Sequence, residues 1–343
     1  MTPPTAEAAL VAKARTEAAI ESLRAEGVYD PNRRIEPYDD ARNAVPVREP
    51  PVETTVEAVI EADLPPRTRG LADRLRERGV PERVVASAPS SWAVIGSVVV
   101  ADFGDVSAER RLNRAERAVV GEALLDLHGN ADTVVARGGI SGTRRDPAGE
   151  VVAGTGDTET VHVEHGTKYA LDLSETMFSP GNQAERARMG EVVDPGERVF
   201  DMFAGIGYFT LPMARAGATV TAAEIDAESH RRLVENAYLN DVSESVRAVH
   251  TDCRTVETVA DRVVMGYYDA HEHLGSALEA LASDGIVHLH EATPEALFPD
   301  RPTDRLRAAA EDEGRHVEVL DSRRVKSHSA GVVHGVVDAR VED

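Results

Sequence analysis

The chain has a single cysteine, Cys253, in 343 residues. That excludes an internal disulfide and any cysteine-built zinc site, and it makes the cytoplasm the expected compartment. No metal centre is expected. No apolar run approaches the length of a membrane span, and the N-terminus carries no apolar block of the signal-peptide kind, so no membrane partner is expected. Lysine is almost missing: it occurs only at Lys13, Lys168 and Lys326, and the other cations are arginine. Internal repeats and low-complexity tracts are also lacking. What is there is a globular composition, 42% hydrophobic, long enough for two domains and a sizeable core.

Charge is lopsided. Lys+Arg total 38 against 60 Asp+Glu, a formal net charge of −22. On its face this argues against a polyanionic partner, which wants a basic surface. Acid spread along the whole chain, with lysine scarce, reads instead as adaptation to a salt-rich cytoplasm. There the screening length shrinks to roughly 3 Å, and net repulsion counts for little beyond contact range. An ordinary acidic protein with no polyanionic partner is the alternative.

The stretch that organises the rest is Val199-Phe200-Asp201-Met202-Phe203-Ala204-Gly205-Ile206-Gly207-Tyr208-Phe209. Its start, Arg198 to Met202, reads as a buried strand, and Thr210 to Ala214 reads as the start of a helix. Between them, Gly205 and Gly207 permit a sharp bend and close approach to a ligand, and the helix start offers N–H groups. A third glycine of the dinucleotide fingerprint is replaced by Thr210. The next strand, Ala218 to Ala223, ends in Glu224 and Asp226; an acid at that tip can accept both hydroxyls of an adenosine ribose. A third strand, Val246 to His250, leads to Asp252 and Cys253, where a carboxylate meets an adenine amino group. Either acid alone is explained as well by a solvated loop. The ordered trio favours S-adenosylmethionine over NAD.

From Val199 onward strand and helix patterns alternate. Helices are expected at His230–Leu239, Glu272–Leu281 and Thr303–Glu313, strands at Arg262–Met265 and Gly285–His290, and a closing antiparallel pair at Val317–Leu320 and Gly331–Ala339. The fold class is therefore α/β, a Rossmann-like class I S-adenosylmethionine-dependent methyltransferase sheet over residues 166–343. Residues 65–165 read as a small α+β domain ending in a hairpin through His165-Gly166. Within it, Arg137, Arg144 and Arg145 flank a glycine-rich turn that either clamps a phosphate backbone or is merely solvated. Residues 1–64 read as an N-terminal extension: an amphipathic helix from Thr5 to Glu26, then a linker dense in proline and charge from Pro31 to Pro66.

Three segments carry a family resemblance: Tyr169 to Met189, with its Phe178-Ser179-Pro180; Asp201 to Gly207; and Val264-Met265-Gly266-Tyr267. Over residues 65–343 the chain resembles a tRNA-modifying family with two activities at the purine 3′ of the anticodon. One is tRNA guanine N1-methylation. The other is the wybutosine-pathway transfer of the 3-amino-3-carboxypropyl group of S-adenosylmethionine to C7 of 4-demethylwyosine. The methyltransferase branch carries an arginine after Phe-Ser-Pro and an Asn-x-Pro after the fourth strand. Here those places read Gly181-Asn182 and Met265-Gly266-Tyr267-Tyr268, with neither the arginine nor the Asn-x-Pro, and Met265-Gly266-Tyr267 is similar to the aminocarboxypropyl branch. Composition and resemblance together imply a halophilic archaeal member of it.

The resemblance implies contacts to S-adenosylmethionine, as co-substrate, from Ser179, Arg186, Glu224, Asp252 and Cys253, with Gly205 and Gly207 in the turn. For Cys253 a small buried apolar role and a backbone contact both stay open. It implies tRNA as partner, met by the small domain through Arg137, Arg144 and Arg145. It names no acid or base: transfer is set by which carbon of the sulfonium faces the nucleophile. A non-catalytic RNA-binding module is the alternative of another class.

Overall fold

The run Ala8-Ala9-Leu10-Val11 is buried throughout, and a computed structural model of the chain makes it the middle of a strand, β1 (Ala6–Ala12), rather than the start of a helix. Helix α1 begins only at Thr16 and ends at Glu26, so the helix expected from Thr5 is half strand. The reason is packing. Strand β1 lies between two neighbours, β3 (Arg42–Pro46) and β4 (Ala58–Ala62), with the short β2 (Glu36–Pro37) outside β3, in the order β2-β3-β1-β4. A strand buried on both faces reads as a continuous apolar run, which periodicity alone does not separate from a helix. The stretch expected as a linker thus supplies three strands. Its prolines Pro37 and Pro46 sit at strand ends, where the missing N–H is tolerated.

The structure describes residues 6–65, 67, 70–104, 112–137, 140–141, 146–147 and 149–343. Arg144 and Arg145 lie outside them; Arg137 is described and exposed. Two compact units are present, Met1–Ala88 and Pro89–Asp343. Helices α2 (Leu71–Glu77) and α3 (Glu82–Ser87) belong to the first.

The second unit opens with β5 (Trp92–Ile95) and β6 (Val98–Ala101), then α4 (Arg114–Leu127), capped by the Asn113 side chain accepting from the Glu116 N–H. Strand β7 (Thr133–Ala136) runs parallel to β6. A short pair, β8 (Ile140–Ser141) with β9 (Asp146–Pro147), precedes β10 (Glu150–Gly154), which completes the sheet β10-β7-β6-β5. The expected hairpin follows as β11 (Glu159–Glu164) and β12 (Thr167–Asp172). His165 and Gly166 both have positive φ, 47° and 77°, as a two-residue turn of this hand demands.

The large sheet then builds in chain order: α5 (Gln183–Glu191), β13 (Arg198–Asp201), α6 (Thr210–Arg215), β14 (Thr219–Glu224), α7 (Ala227–Leu239), β15 (Val246–His250), β16 (Ala260–Met265), α8 (Leu274–Ala280), β17 (Leu281–Pro294), α9 (Asp300–Asp312), β18 (His316–Ser329) and β19 (Val332–Glu342). Seven strands lie in the order β15-β14-β13-β16-β17-β19-β18. The first five are parallel, and β19 is antiparallel to both its neighbours. The α/β class I methyltransferase fold expected from the sequence is the one observed. Strand β13 alternates its faces: Val199 enters a core with Leu211, Val220, Leu233 and Tyr169, while Phe200 enters one with Val263, Leu278 and Leu306. The chain winds away from β13 in both directions, so the crevice at the carboxyl ends of β13 and β16 is where a ligand belongs.

Candidate functional site

Strand β13 ends at Asp201, and the glycine turn begins. Gly205 and Gly207 have φ of +56° and +102°. A Cβ on Gly205 would stand 2.6 Å from the Tyr208 ring, and one on Gly207 2.7 Å from Leu211 Cγ, so both positions require glycine. Thr210, standing where a third glycine would be, has its own task. Its hydroxyl donates to Asp201 Oδ2 at 2.7 Å, and Asp201 is fully buried. Burial pushes the Asp201 carboxyl up to about 6. Asn236, from α7, donates to the Ile206 carbonyl between the glycines at 3.0 Å and to the Ala170 carbonyl at 3.2 Å. The turn is thereby fixed from below and from the hairpin side.

Glu224 closes on this turn from the end of β14. Its Oε2 accepts from the Gly205 N–H at 2.7 Å and its Oε1 from the Asp226 N–H at 2.8 Å. Burial raises its pKa above the ordinary carboxylate value. Each oxygen still has a lone pair for a further donor, which is what two ribose hydroxyls require. Ile225, next in the chain, is 64% exposed, an apolar side chain beside the acid.

The third strand end is adjacent: the Thr251 N–H donates to the Glu224 carbonyl at 3.1 Å. Asp252 is held by Arg254, Nε to Oδ1 at 2.9 Å and Nη2 to Oδ2 at 2.5 Å. That guanidinium draws its pKa down to about 2, so it stands as an ionised acceptor. Cys253 is buried, its Sγ 3.8 Å from His273 Nδ1, and burial pushes its thiol up to about 11. It is a neutral packing group at neutral pH. Phe203 stacks on Tyr267 at 5.3 Å and meets His273 edge-on at 5.2 Å, walling this end.

At the other end, the segment before α5 is tied to the glycine turn through Tyr208, whose hydroxyl donates to the Met177 carbonyl. Ser179 Oγ accepts from Lys326 Nζ at 2.7 Å. Arg186 is 3% exposed. Its Nε and Nη2 donate to Glu164 at 2.6 and 2.8 Å, Nη2 also reaches the Ser179 carbonyl at 3.1 Å, and the guanidinium lies 4.5 Å over the Phe178 ring. Its charge is thus engaged by the β11–β12 hairpin, and Lys326 is the cation beside Ser179. Nothing in the chain beyond lysine's scarcity points to Lys326.

After β16, Gly266 has no room for a side chain: a Cβ there would sit 2.7 Å from Phe209 Cε2. Phe209 packs on His290 at 5.1 Å, and Tyr268 packs on His334 at 4.9 Å. Gly205, Gly207, Glu224, Asp252 and Cys253 are therefore gathered on consecutive strand ends, with Ser179 and Arg186 joined to them through Tyr208. Arg137 stands apart, at the end of β7.

The TRM5/TYW2 methyltransferase domain matches residues 160–320, and the TYW2 N-terminal domain matches residues 71–158. The chain is 39% identical over 282 residues to the tRNA(Phe) (4-demethylwyosine(37)-C(7)) aminocarboxypropyltransferase of Pyrococcus horikoshii, covering 80% of this chain and 99% of that protein. A solved structure of P. horikoshii TYW2 in complex with MeSAdo is 36% identical, with a TM-score of 0.69 over 79% of this chain and 99% of that one. Trm5b of Pyrococcus abyssi is 29% identical, with a TM-score of 0.73 over 98% of this chain and 100% of that one. The likeness to Trm5b thus extends into the first 64 residues, which the sequence resemblance had left out.

Proposed function

The chain belongs to the TRM5/TYW2 family of tRNA-modifying enzymes, and we infer from that membership and from the site that it transfers the 3-amino-3-carboxypropyl group of S-adenosylmethionine to C7 of 4-demethylwyosine in tRNA(Phe), releasing methylthioadenosine. It is a transferase of wybutosine-derivative biosynthesis. The observation that carries this is the 39% identity over 99% of the P. horikoshii aminocarboxypropyltransferase. The site residues agree with it. Met265-Gly266-Tyr267 stands where Asn-x-Pro would grip a guanine edge, and Phe209 leaves no side-chain space at Gly266. S-Adenosylmethionine labelled in its carboxyl carbon should label tRNA bearing 4-demethylwyosine, and methyl-labelled S-adenosylmethionine should not. The opposite pattern would make the protein a methyltransferase.

For the co-substrate, Glu224 takes the ribose hydroxyls, Asp252 with the Cys253 N–H takes the adenine edge, Ile225 offers adenine an apolar face, and Gly205 and Gly207 let the backbone approach. Ser179 lies at the methionine end with Lys326, while Arg186 shapes that end by holding the Ser179 carbonyl. The chemistry these residues supply is orientation: the aminocarboxypropyl Cγ, not the methyl, must face the nucleophilic carbon.

The tRNA is met by the small sheet of the second unit, where Arg137 is exposed; Arg144 and Arg145 follow it in the chain. Arg137→Glu should weaken tRNA binding by roughly 1–3 kcal/mol, as for a lost charged contact, and leave S-adenosylmethionine affinity unchanged. Parallel binding assays of the two ligands decide it. Among the described residues no helix is long and apolar enough to cross a membrane, and a cytoplasmic enzyme is the reading that fits. The charge of −22 with three lysines fits a salt-rich cytoplasm: the melting temperature should rise from dilute buffer to molar KCl, where like charges are screened. A flat profile would remove that reading.

A further inference from the structure

We propose that the buried pair His290–His334 accepts the proton that the target carbon must lose. The proposal rests on the aminocarboxypropyl reading. In that reaction a C–C bond forms between C7 and the Cγ of the aminocarboxypropyl group. The Cγ–S bond breaks with its electron pair going to sulfur, and methylthioadenosine leaves. C7 then carries both its hydrogen and the new substituent in a cationic ring, and only loss of the C7 proton restores the aromatic tricycle. The orientation of the co-substrate does not supply an acceptor for that proton.

Two histidines pair beneath the strand ends that carry the site. His290 comes from β17 and His334 from β19, each no more than 2% exposed, with His290 Nδ1 3.0 Å from His334 Nε2. One proton lies between those two nitrogens. The outer nitrogens, His290 Nε2 and His334 Nδ1, are buried without a hydrogen-bond partner among the described residues. A buried polar atom left unpaired costs about 1–3 kcal/mol, and two at the ends of one hydrogen bond call for a partner that comes and goes. In a neutral pair, one outer nitrogen carries a hydrogen and the other a lone pair. The lone-pair end takes the C7 proton; the shared proton then shifts, and the far end releases its own.

The pair also sits under the strand end that replaces Asn-x-Pro. Phe209 bridges Gly266 and His290, and the Tyr268 ring meets His334 edge-on. The groups around it are His288 on β17, Arg323, Lys326 and His328 on β18, Asp338 on β19 and Glu185 on α5. Glu185 is itself gripped by Arg323, Nε to Oε2 at 2.9 Å, so it is held as a paired carboxylate. Burial lowers both histidines, His290 to about 3 and His334 to about 2, so both are neutral and weak bases at neutral pH; they can take this proton because it comes from a cationic ring, a strong acid whose deprotonation restores aromaticity.

The test uses the double variant His290→Asn with His334→Gln. Asn mimics a ring Nδ1 and Gln a ring Nε2, so the internal hydrogen bond survives while proton acceptance is lost. Single-turnover transfer is followed on tRNA(Phe) whose 4-demethylwyosine carries hydrogen or deuterium at C7. The variant should be slower by roughly 100-fold or more, in the range of a lost general base. KM values should stay near native, and a C7 isotope effect larger than the native one should appear. His334→Gln alone, which leaves one imidazole in place, should fall between the native enzyme and the double variant in rate. Native rates in correctly folded variants would overturn the proposal. So would a Glu185→Gln enzyme that alone shows the loss and the isotope effect. The nucleoside product is read in the same samples: if the native enzyme releases S-adenosylhomocysteine, the reading beneath the proposal has failed, whatever the histidines do.

Discussion

Replacing Arg186 by alanine should destabilise the second unit by about 3–5 kcal/mol, the usual effect of removing one partner from a buried ion pair. Arg186 and Glu164 are both about 3% exposed at the side chain and joined at 2.6 and 2.8 Å. Without the guanidinium, Glu164 is left buried with only His162 Nε2 at 3.2 Å. Burial pulls the Glu164 pKa up, but the hydrogen bonds from His162 and Arg186 outweigh it and leave the carboxyl below its ordinary value of 4.5. The sign follows. A depressed carboxylate adds stability that is fully present above its unfolded pKa and lost as pH falls through the folded one. The gap between native and variant should therefore be widest near neutrality and shrink in acid below about 4.5. Replacing both partners with apolar residues, Glu164→Leu with Arg186→Met, should recover most of the loss. Denaturant titrations across pH measure it. A variant of native stability that no longer binds S-adenosylmethionine would instead make Arg186 a direct ligand of the methionine end.

Glu224→Ala should lower S-adenosylmethionine affinity by more than tenfold, about 1.4 kcal/mol or more, because two hydrogen bonds to a charged acceptor are lost. The structure adds a second cost. The carboxylate also receives the Gly205 and Asp226 N–H groups, so its removal loosens the turn that must approach the ligand. Glu224→Gln keeps one carbonyl acceptor in place and should fall between native and alanine. Calorimetry on the purified protein gives the three affinities. Three equal values would mean that the co-substrate is held elsewhere.

Local chemistry made much of the site readable from the chain. A strand, two glycines at forced positive φ and a helix, followed by acids at the next two strand tips, are encoded within about fifty residues, and Glu224 does meet Gly205. The parallel sheet was readable for the same reason: its strands are short apolar runs separated by helical patterns. What stayed hidden depends on residues far apart in sequence. Lys326 reaches Ser179 across 147 positions, and His290 meets His334 across 44; spacing gives no signal for either. The contact of Arg186 with the co-substrate is implied by the family resemblance alone; spacing does not show what its charge meets in the fold. The hairpin residue that neutralises it, Glu164, lies 22 positions away. Strand β1 failed differently, because Ala8 to Val11 favours a helix locally and is overruled by two flanking strands.

The central claim is that the aminocarboxypropyl group, not the methyl group, leaves the sulfonium. One measurement reads it directly: incubate the protein with S-adenosylmethionine and tRNA(Phe) bearing 4-demethylwyosine, and identify the released nucleoside by mass spectrometry. Methylthioadenosine, formed in step with the mass gained by the tRNA, is the predicted result. S-Adenosylhomocysteine with a methylated guanosine would contradict the account, and no tRNA-dependent release of either nucleoside would leave only an RNA-binding protein.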